Sequence, residues 1–199
     1  MISDPRRFQA ALDRFDAANR QDPRRETFEG QEYPTELLYA QRMTHWLRRL
    51  APDASEAVQL AARCQHLRRW EIPRQQFPMD RQGYHRWRTT LYGFHAEQAG
   101  RILQAIGYDE STIRRVQNLV RKMRLKSDPE MQLLEDVICV VFLESYFSSF
   151  SRQHEEEKIL TIVRKTWNKM SPRGHEAALG LPLAAADRAL IEKALASPG

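Results

Sequence analysis

Apolar residues recur along this chain at intervals of three and four, the spacing that places them on one face of an α-helix. Phe8, Leu12 and Phe15 line such a face, and Ser3 with Pro5 just inside the first turn predicts a helix over 3–19. The polar run ANRQDPRRETFEGQEYP ends it. Leu37, Leu38, Met43, Trp46, Leu47 and Leu50 then cover a wide face on a helix that starts at Pro34, and APDAS turns the chain into EAVQLAARCQHL. These two segments predict an antiparallel helical hairpin.

Further along, IPRQQFPMDRQG reads as an ordered loop, and YHRWRTTLYGFHAEQAGRILQAIG as a long helix closed by Gly107. Asp109 caps STIRRVQNLVRKMRL. Asp128, Pro129 and Glu130 open PEMQLLEDVICVVFLESYFSSF, which is apolar nearly all round and therefore predicts a central helix. HEEEKILTIVRKTWNKM, a short helix from Ser171 and Pro172, and LAAADRALIEKALAS complete the pattern. No stretch of alternating apolar and polar residues with hairpin turn signals demands a sheet, so the expected fold is all-α, a bundle of about eight helices.

Length and composition bound this picture without redirecting it. The 199 residues fit one domain spanning 1–199, and the hydrophobic content of 42% with four Trp and eight Phe excludes a disordered chain. The longest apolar run, VICVVFL at 137–143, is far shorter than the roughly 18 residues of a membrane span, and MISDPRRFQAALDRF lacks the apolar centre of a signal peptide. A cytoplasmic protein with no membrane partner is expected. Cys64 and Cys139 are expected to be reduced and structural.

Charge adds a partner class. The net charge of +5 permits an acidic partner, and ten arginines between positions 42 and 88 face only Asp53, Glu56, Glu71 and Asp80 there. Within that stretch the residues QLAARCQHLRRWEIPR, 59–74, carry one histidine, His66, at the end of a helix that exits into Arg68, Arg69 and Arg74.

Two further features carry candidate chemistry. Glu135 and Asp136 interrupt the apolar helix, and a buried carboxylate there requires an arginine partner, a metal or several hydrogen-bond donors. His95 lies on the flank of an apolar stripe with Phe94, Ala99, Ile102 and Leu103. Taken alone, His66 and His95 each read as hydrogen-bonded packing residues. With Asp136 they form an ordered set on successive helices. If the hairpin turns near Pro52, the common rise of about 1.5 Å per residue puts His66 level with 36–40 and away from His45, which singles out Glu36. His154 and His175 lie in polar stretches, and no Ser-His-Asp or Cys-His arrangement is distinguishable.

The helical hairpin followed by LAARCQH, a loop, FHAEQAGRIL and DPEMQLLEDVICVVFLE resembles the HD-domain superfamily of metal-dependent phosphohydrolases, with an HD-like core at about 35–170 between the N-terminal helix and a helical extension from 171 to 199. More closely, RCQHLRRWEIPR, FPMDRQGY, LEDVICVVFLESYF and KTWNKMS are similar to a family catalogued as a domain of unknown function, some members of which carry a glutamyl-tRNA synthetase-like label. The nucleotide-binding βαβ pattern and glycine-rich loop of a synthetase are absent from this sequence.

Carried over position by position, the superfamily resemblance implies that His66 is the histidine of the His-Asp pair, His95 a downstream histidine and Asp136 the late aspartate. Leu67 stands where the aspartate of that pair is expected, and Tyr39, with Glu36 close by, where the first histidine is expected. The departure at Leu67 implies one metal or a degenerate site that binds without turnover.

The implied ligand set is His66, His95, Asp136 and Glu36, and such mixed nitrogen and oxygen ligation suits Mn, Fe, Co, Ni or Zn better than Ca. Arg68, Arg69 and Arg74, with Arg81 and Lys126, are the candidates for holding the anionic group of a small-molecule substrate. Two functions are therefore expected in competition. One is hydrolysis of a phosphorylated or nucleotide-like small molecule. The other is a degenerate binding module for RNA, tRNA or another acidic partner, using the arginine-rich loop.

Overall fold

A computed structural model of the chain describes residues 2–123 and 127–196. The candidate Lys126 lies outside them. The described residues form ten α-helices and one small two-stranded sheet, arranged as two compact units, 1–124 and 125–199. The mainly helical expectation is met. Among the described residues no helix is long and apolar enough to cross a membrane.

In the first unit, α1 (Pro5–Asn19) begins at Asp4, whose carboxylate accepts from the amides of Arg6 and Arg7. Asp4, and not Ser3, is therefore the cap; Ser3 instead donates to Glu56. Phe8, Ala11, Leu12 and Phe15 form the buried face. The polar run after α1, read from the sequence as a loop, contains a small hairpin of β1 (Arg25–Phe28) and β2 (Gln31–Pro34) within the otherwise helical fold. Its turn is Glu29-Gly30, both with positive φ, 49° and 78°. A two-residue loop of that kind matches the twist of paired strands, and Gly30 was the available signal for it.

The helices α2 (Thr35–Leu50) and α3 (Glu56–Cys64) pack together across the turn at 51–55, where the Ser55 hydroxyl caps Val58 N at 3.3 Å. Beyond α3 the chain passes through two short 3-10 turns, Arg69–Glu71 and Arg74–Gln76. The long helix α4 (Arg81–Ile106) starts at Asp80, whose carboxylate accepts from Gly83 N at 2.6 Å. Gly83 is obligatory, because a Cβ there would collide with the carbonyl of Pro78. Gly107, at φ 87°, ends α4, and α5 (Glu110–Val120), capped by Asp109, packs against α3 and α4.

In the second unit, Asp128 caps α6 (Pro129–Val141), which continues through a π-helical turn at Phe142–Tyr146 into α7 (Phe147–Ser151). The helices α8 (Glu156–Trp167), α9 (Pro172–Leu179) and α10 (Ala185–Ala196) follow, with α9 packed on α6 and α10 on α8. Met131, Leu134, Val137, Val140, Val141, Leu143 and Phe147 are buried, as an apolar helix requires.

Candidate functional site

The turn between α2 and α3 brings together residues thirty positions apart. Nδ1 of His66 lies 3.2 Å from Oε2 of Glu36, and the Tyr39 ring stacks on His66 with centroids 4.0 Å apart. His95, from α4, places its ring centroid 5.8 Å from that of His66. Three of the four expected metal-ligand residues, Glu36, His66 and His95, thus form one cluster in the first unit. The exposed His45 takes no part.

Glu36 is only 5% exposed, so its charge needs partners. Arg24 supplies the first, with Nη2 at 2.7 Å from Oε1, and Arg24 is itself held by Asp22 through Nε and Nη2 at 3.0 and 2.9 Å. Asp22 also accepts from Glu36 N at 3.1 Å. Neither Asp22 nor Arg24 stood out in the sequence, because the β-hairpin that separates them from α2 was read as loop.

Arg69 supplies the decisive contact. Its Nη1 lies 3.2 Å from Nε2 of His66 and its Nε 3.7 Å from Glu36 Oε1, while the guanidinium rests over Trp87 at 4.8 Å from the ring centroid. A guanidinium can only donate, so Nε2 of His66 accepts, and the imidazole proton sits on Nδ1 and is donated to Glu36. Burial holds the pKa of His66 well below 6.5, and the charges of Arg69, Arg88, Lys122 and Arg24 depress it further. His66 is a neutral imidazole set among cations.

Arg88 and Lys122 are cations that the sequence analysis did not single out. Arg88 donates to the Tyr92 hydroxyl from Nε at 3.0 Å and to the Tyr84 hydroxyl from Nη1 at 3.2 Å. Tyr84, Arg88 and Tyr92 are four residues apart on α4 and so share a face, which is the signal that was available. No carboxylate pairs with Arg88 among the described residues. Lys122, just past α5, lies 5.8 Å from the Tyr92 ring centroid.

His95 is 1% exposed. Its Nδ1 lies 2.8 Å from the carbonyl oxygen of Leu67. That oxygen can only accept, so Nδ1 carries the proton and Nε2 the lone pair, and Nε2 has no hydrogen-bond partner among the described residues. A buried acceptor left without a donor costs about 1–3 kcal/mol. Burial, chiefly, and then the neighbouring His66 push the pKa of His95 down to about 3, against the opposing effect of the Leu67 carbonyl. Leu67 is fully buried and acts through its backbone. The left-handed Arg68 that follows, φ 56°, sends its amide to Asn19 Oδ1 at 3.1 Å and redirects the chain.

The other substrate candidates have different employments. Arg68 pairs with Glu71, and Arg74 ties down its own loop through the carbonyls of Phe77 and Asp80 at 3.0 and 3.2 Å. Arg81 is exposed on the first turn of α4.

Asp136 belongs to the second unit. Its Oδ1 accepts from Ser171 N at 2.8 Å and Gln132 Nε2 at 3.0 Å, and its Oδ2 from Ser171 Oγ at 2.5 Å. A Cβ at Gly174 would fall 2.7 Å from Oδ1. These contacts tie α6 to the start of α9. Glu135, also buried, has Lys169 Nζ at 3.8 Å. Cys64 and Cys139 are buried thiols outside any disulfide, and burial pushes the Cys64 thiol up.

The donor set fits a metal ion only in part. His95 offers an open nitrogen, but Arg69 occupies that of His66, Glu36 faces the opposite edge of the ring, and four cations bear on the site. Among the described residues no three His, Cys, Asp or Glu side chains are gathered as a metal site. The same surroundings suit an oxyanion, for which arginine and lysine are the natural donors.

A family described as Domain of unknown function (DUF4202) matches residues 9–191. No curated protein and no solved structure matches the chain.

Proposed function

The chain belongs to the DUF4202 family, and we propose that it binds the phosphate group of a phosphorylated or nucleotide-like small molecule at the Glu36–His66–His95 cluster. One observation carries this reading: Arg24, Arg69, Arg88 and Lys122 all bear on a neutral imidazole, and Arg88 is held by two phenols in place of a carboxylate. An arginine oriented this way keeps its charge available for an incoming anion. Glu36 fixes the position of both His66 and Arg24, so the cations are set before the ligand arrives.

Calorimetric titration with inorganic phosphate, pyrophosphate and a nucleoside monophosphate tests the reading. Saturable binding that weakens at least tenfold in Arg69→Gln and in Arg88→Gln is the expected result. Absence of binding to every one of these anions overturns it.

A second reading, a divalent-metal hydrolase of the kind the HD-domain resemblance implies, is favoured by the open Nε2 of His95. Metal-bound histidines commonly donate their other nitrogen to a carbonyl or carboxylate, as His95 does to Leu67 and His66 to Glu36. His95, and His66 once Arg69 has turned away from its Nε2, would hold such a metal, which would supply an activated water. Metal content of protein purified without chelators decides it: stoichiometric Mn, Fe, Co, Ni or Zn supports this reading, and failure to take up any of them removes it.

A further inference from the structure

The anion-site reading leaves one buried atom unexplained. Nε2 of His95 carries a lone pair, is fully enclosed, and has no donor among the described residues. The Leu67 carbonyl fixes the proton on the other nitrogen, so Nε2 cannot turn into a donor without disturbing that bond. His66, 5.8 Å away between ring centroids, shows the contrasting case, since its Nε2 is served by Arg69.

The cluster therefore asks two things of a ligand. Arg69 and Arg88, held by a neutral imidazole and two phenols respectively, call for acceptor oxygens bearing negative charge. His95 calls for a hydrogen-bond donor. A fully ionised oxyanion such as sulfate offers acceptors alone and leaves Nε2 of His95 unserved. Inorganic phosphate retains a P–OH at neutral pH. A phosphate ester supplies the hydrogen from its monoanion, whose second ionisation lies near 6, or from a neighbouring hydroxyl. A site that hydrogen-bonds a ligand OH discriminates against an analogue lacking it far more strongly than an apolar pocket can, because the site's polar group is then left unpaired.

Resting on the anion-site reading, we propose that His95 is the specificity-determining residue of this site, selecting an oxyanion that brings its own hydrogen-bond donor, a phosphate over a sulfate. The ligand's P–OH or adjacent hydroxyl donates to Nε2 of His95, while its charged oxygens accept from Arg69 and Arg88. No bond is made or broken in this step.

The experiment compares inorganic phosphate, glycerol phosphate and sulfate by calorimetry on the full chain, with a chelator present and at constant ionic strength. Phosphate or glycerol phosphate is expected to bind at least tenfold more tightly than sulfate, a difference of about 1.4 kcal/mol. Whichever of the two binds more tightly identifies the source as free phosphate or an ester. In His95→Leu the preference should fall towards unity through loss of phosphate affinity, with sulfate affinity little changed. Because His95 is fully enclosed and that variant risks misfolding, the ¹⁵N resonance of Nε2 in the unaltered protein gives a second reading. It should move on addition of phosphate and stay on addition of sulfate at saturation. Equal affinities, or equal displacement of the resonance by both ions, overturn the inference and leave the anion site standing. Failure of all three anions to bind overturns the anion site and this inference together.

Discussion

Arg69 donates through Nη1 to Nε2 of His66 across 3.2 Å, an arrangement in which a cation is held by a neutral base. The pair has no net attraction of opposite charges, so a ligand anion can compete for the guanidinium on favourable terms. Arg69 is also supported by Trp87 and, more distantly, by Glu36, which keeps it at the site when it turns. Arg69→Lys should bind phosphate at least tenfold more weakly than the parent chain despite its conserved charge. A lysine cannot reproduce the planar fork that reaches both an anion and the ring. Calorimetry with inorganic phosphate measures this, and unchanged affinity in Arg69→Lys would show that charge alone suffices.

Acid should unfold the protein through these histidines. Burial first, and then neighbouring groups, lower the pKa of His66 well below 6.5 and that of His95 to about 3. The unfolded chain, with ordinary histidines near 6.5, binds more protons than the folded one at any pH between these values. By linkage, the stability these groups contribute is complete above about 6.5 and is lost as pH falls, at up to about 1.4 kcal/mol per pH unit for each histidine that stays neutral. Urea denaturation midpoints should therefore drop between pH 6.5 and 4, with a shallower slope in His95→Gln. An unchanged slope in that variant would place the acid sensitivity elsewhere.

Much of the frame was readable because it rests on local rules. Asp109, Asp128 and Ser171 cap their helices where side-chain chemistry says they should, and the rise per residue of a helical hairpin was enough to put Glu36 beside His66. What was not readable depends on contacts between distant segments. Arg24, Arg88 and Lys122 come from the segment just before the β-hairpin, the first half of α4 and the turn just past α5, and nothing in their local sequence marks them as neighbours of His66. Conversely, Arg68 and Arg74 look like clamps in the sequence because they follow the histidine, yet a salt bridge and two carbonyls engage them. Asp136 needed a cation, a metal or donors, and the structure supplies the donors through a serine thirty-five residues away.

Placing aspartate after His66 should damage the fold. Leu67 is fully buried and its carbonyl serves His95. Leu67→Asp places an ionisable group in an apolar setting, at a cost of several kcal/mol. Leu67→Ala, which only leaves a cavity, should cost about 2–5 kcal/mol. Chemical denaturation ranks the two, with Leu67→Asp expected to be the less stable. A Leu67→Asp protein as stable as the parent and newly able to retain a divalent metal would instead show that this position can accept a ligand carboxylate.

Asp136 should behave as a structural carboxylate. In Asp136→Ala the amide and hydroxyl of Ser171 and the amide of Gln132 lose their acceptor, and a buried donor left unsatisfied costs about 1–3 kcal/mol. Ser171 is also the N-cap of α9, so the loss should loosen the start of that helix. Gly174→Ala attacks the same contact from the other side, because its Cβ would press on Asp136 Oδ1. Both variants should lower the denaturation midpoint and speed hydrogen exchange at 171–175, while phosphate affinity at the Glu36–His66–His95 cluster stays within about twofold, because the Asp136 carboxylate is engaged by Ser171 and Gln132. A loss of bound ligand or metal in Asp136→Ala without any loss of stability would reverse the assignment. The carboxylate would then be acting on a ligand, and its bonds to Ser171 would be the means of aiming it.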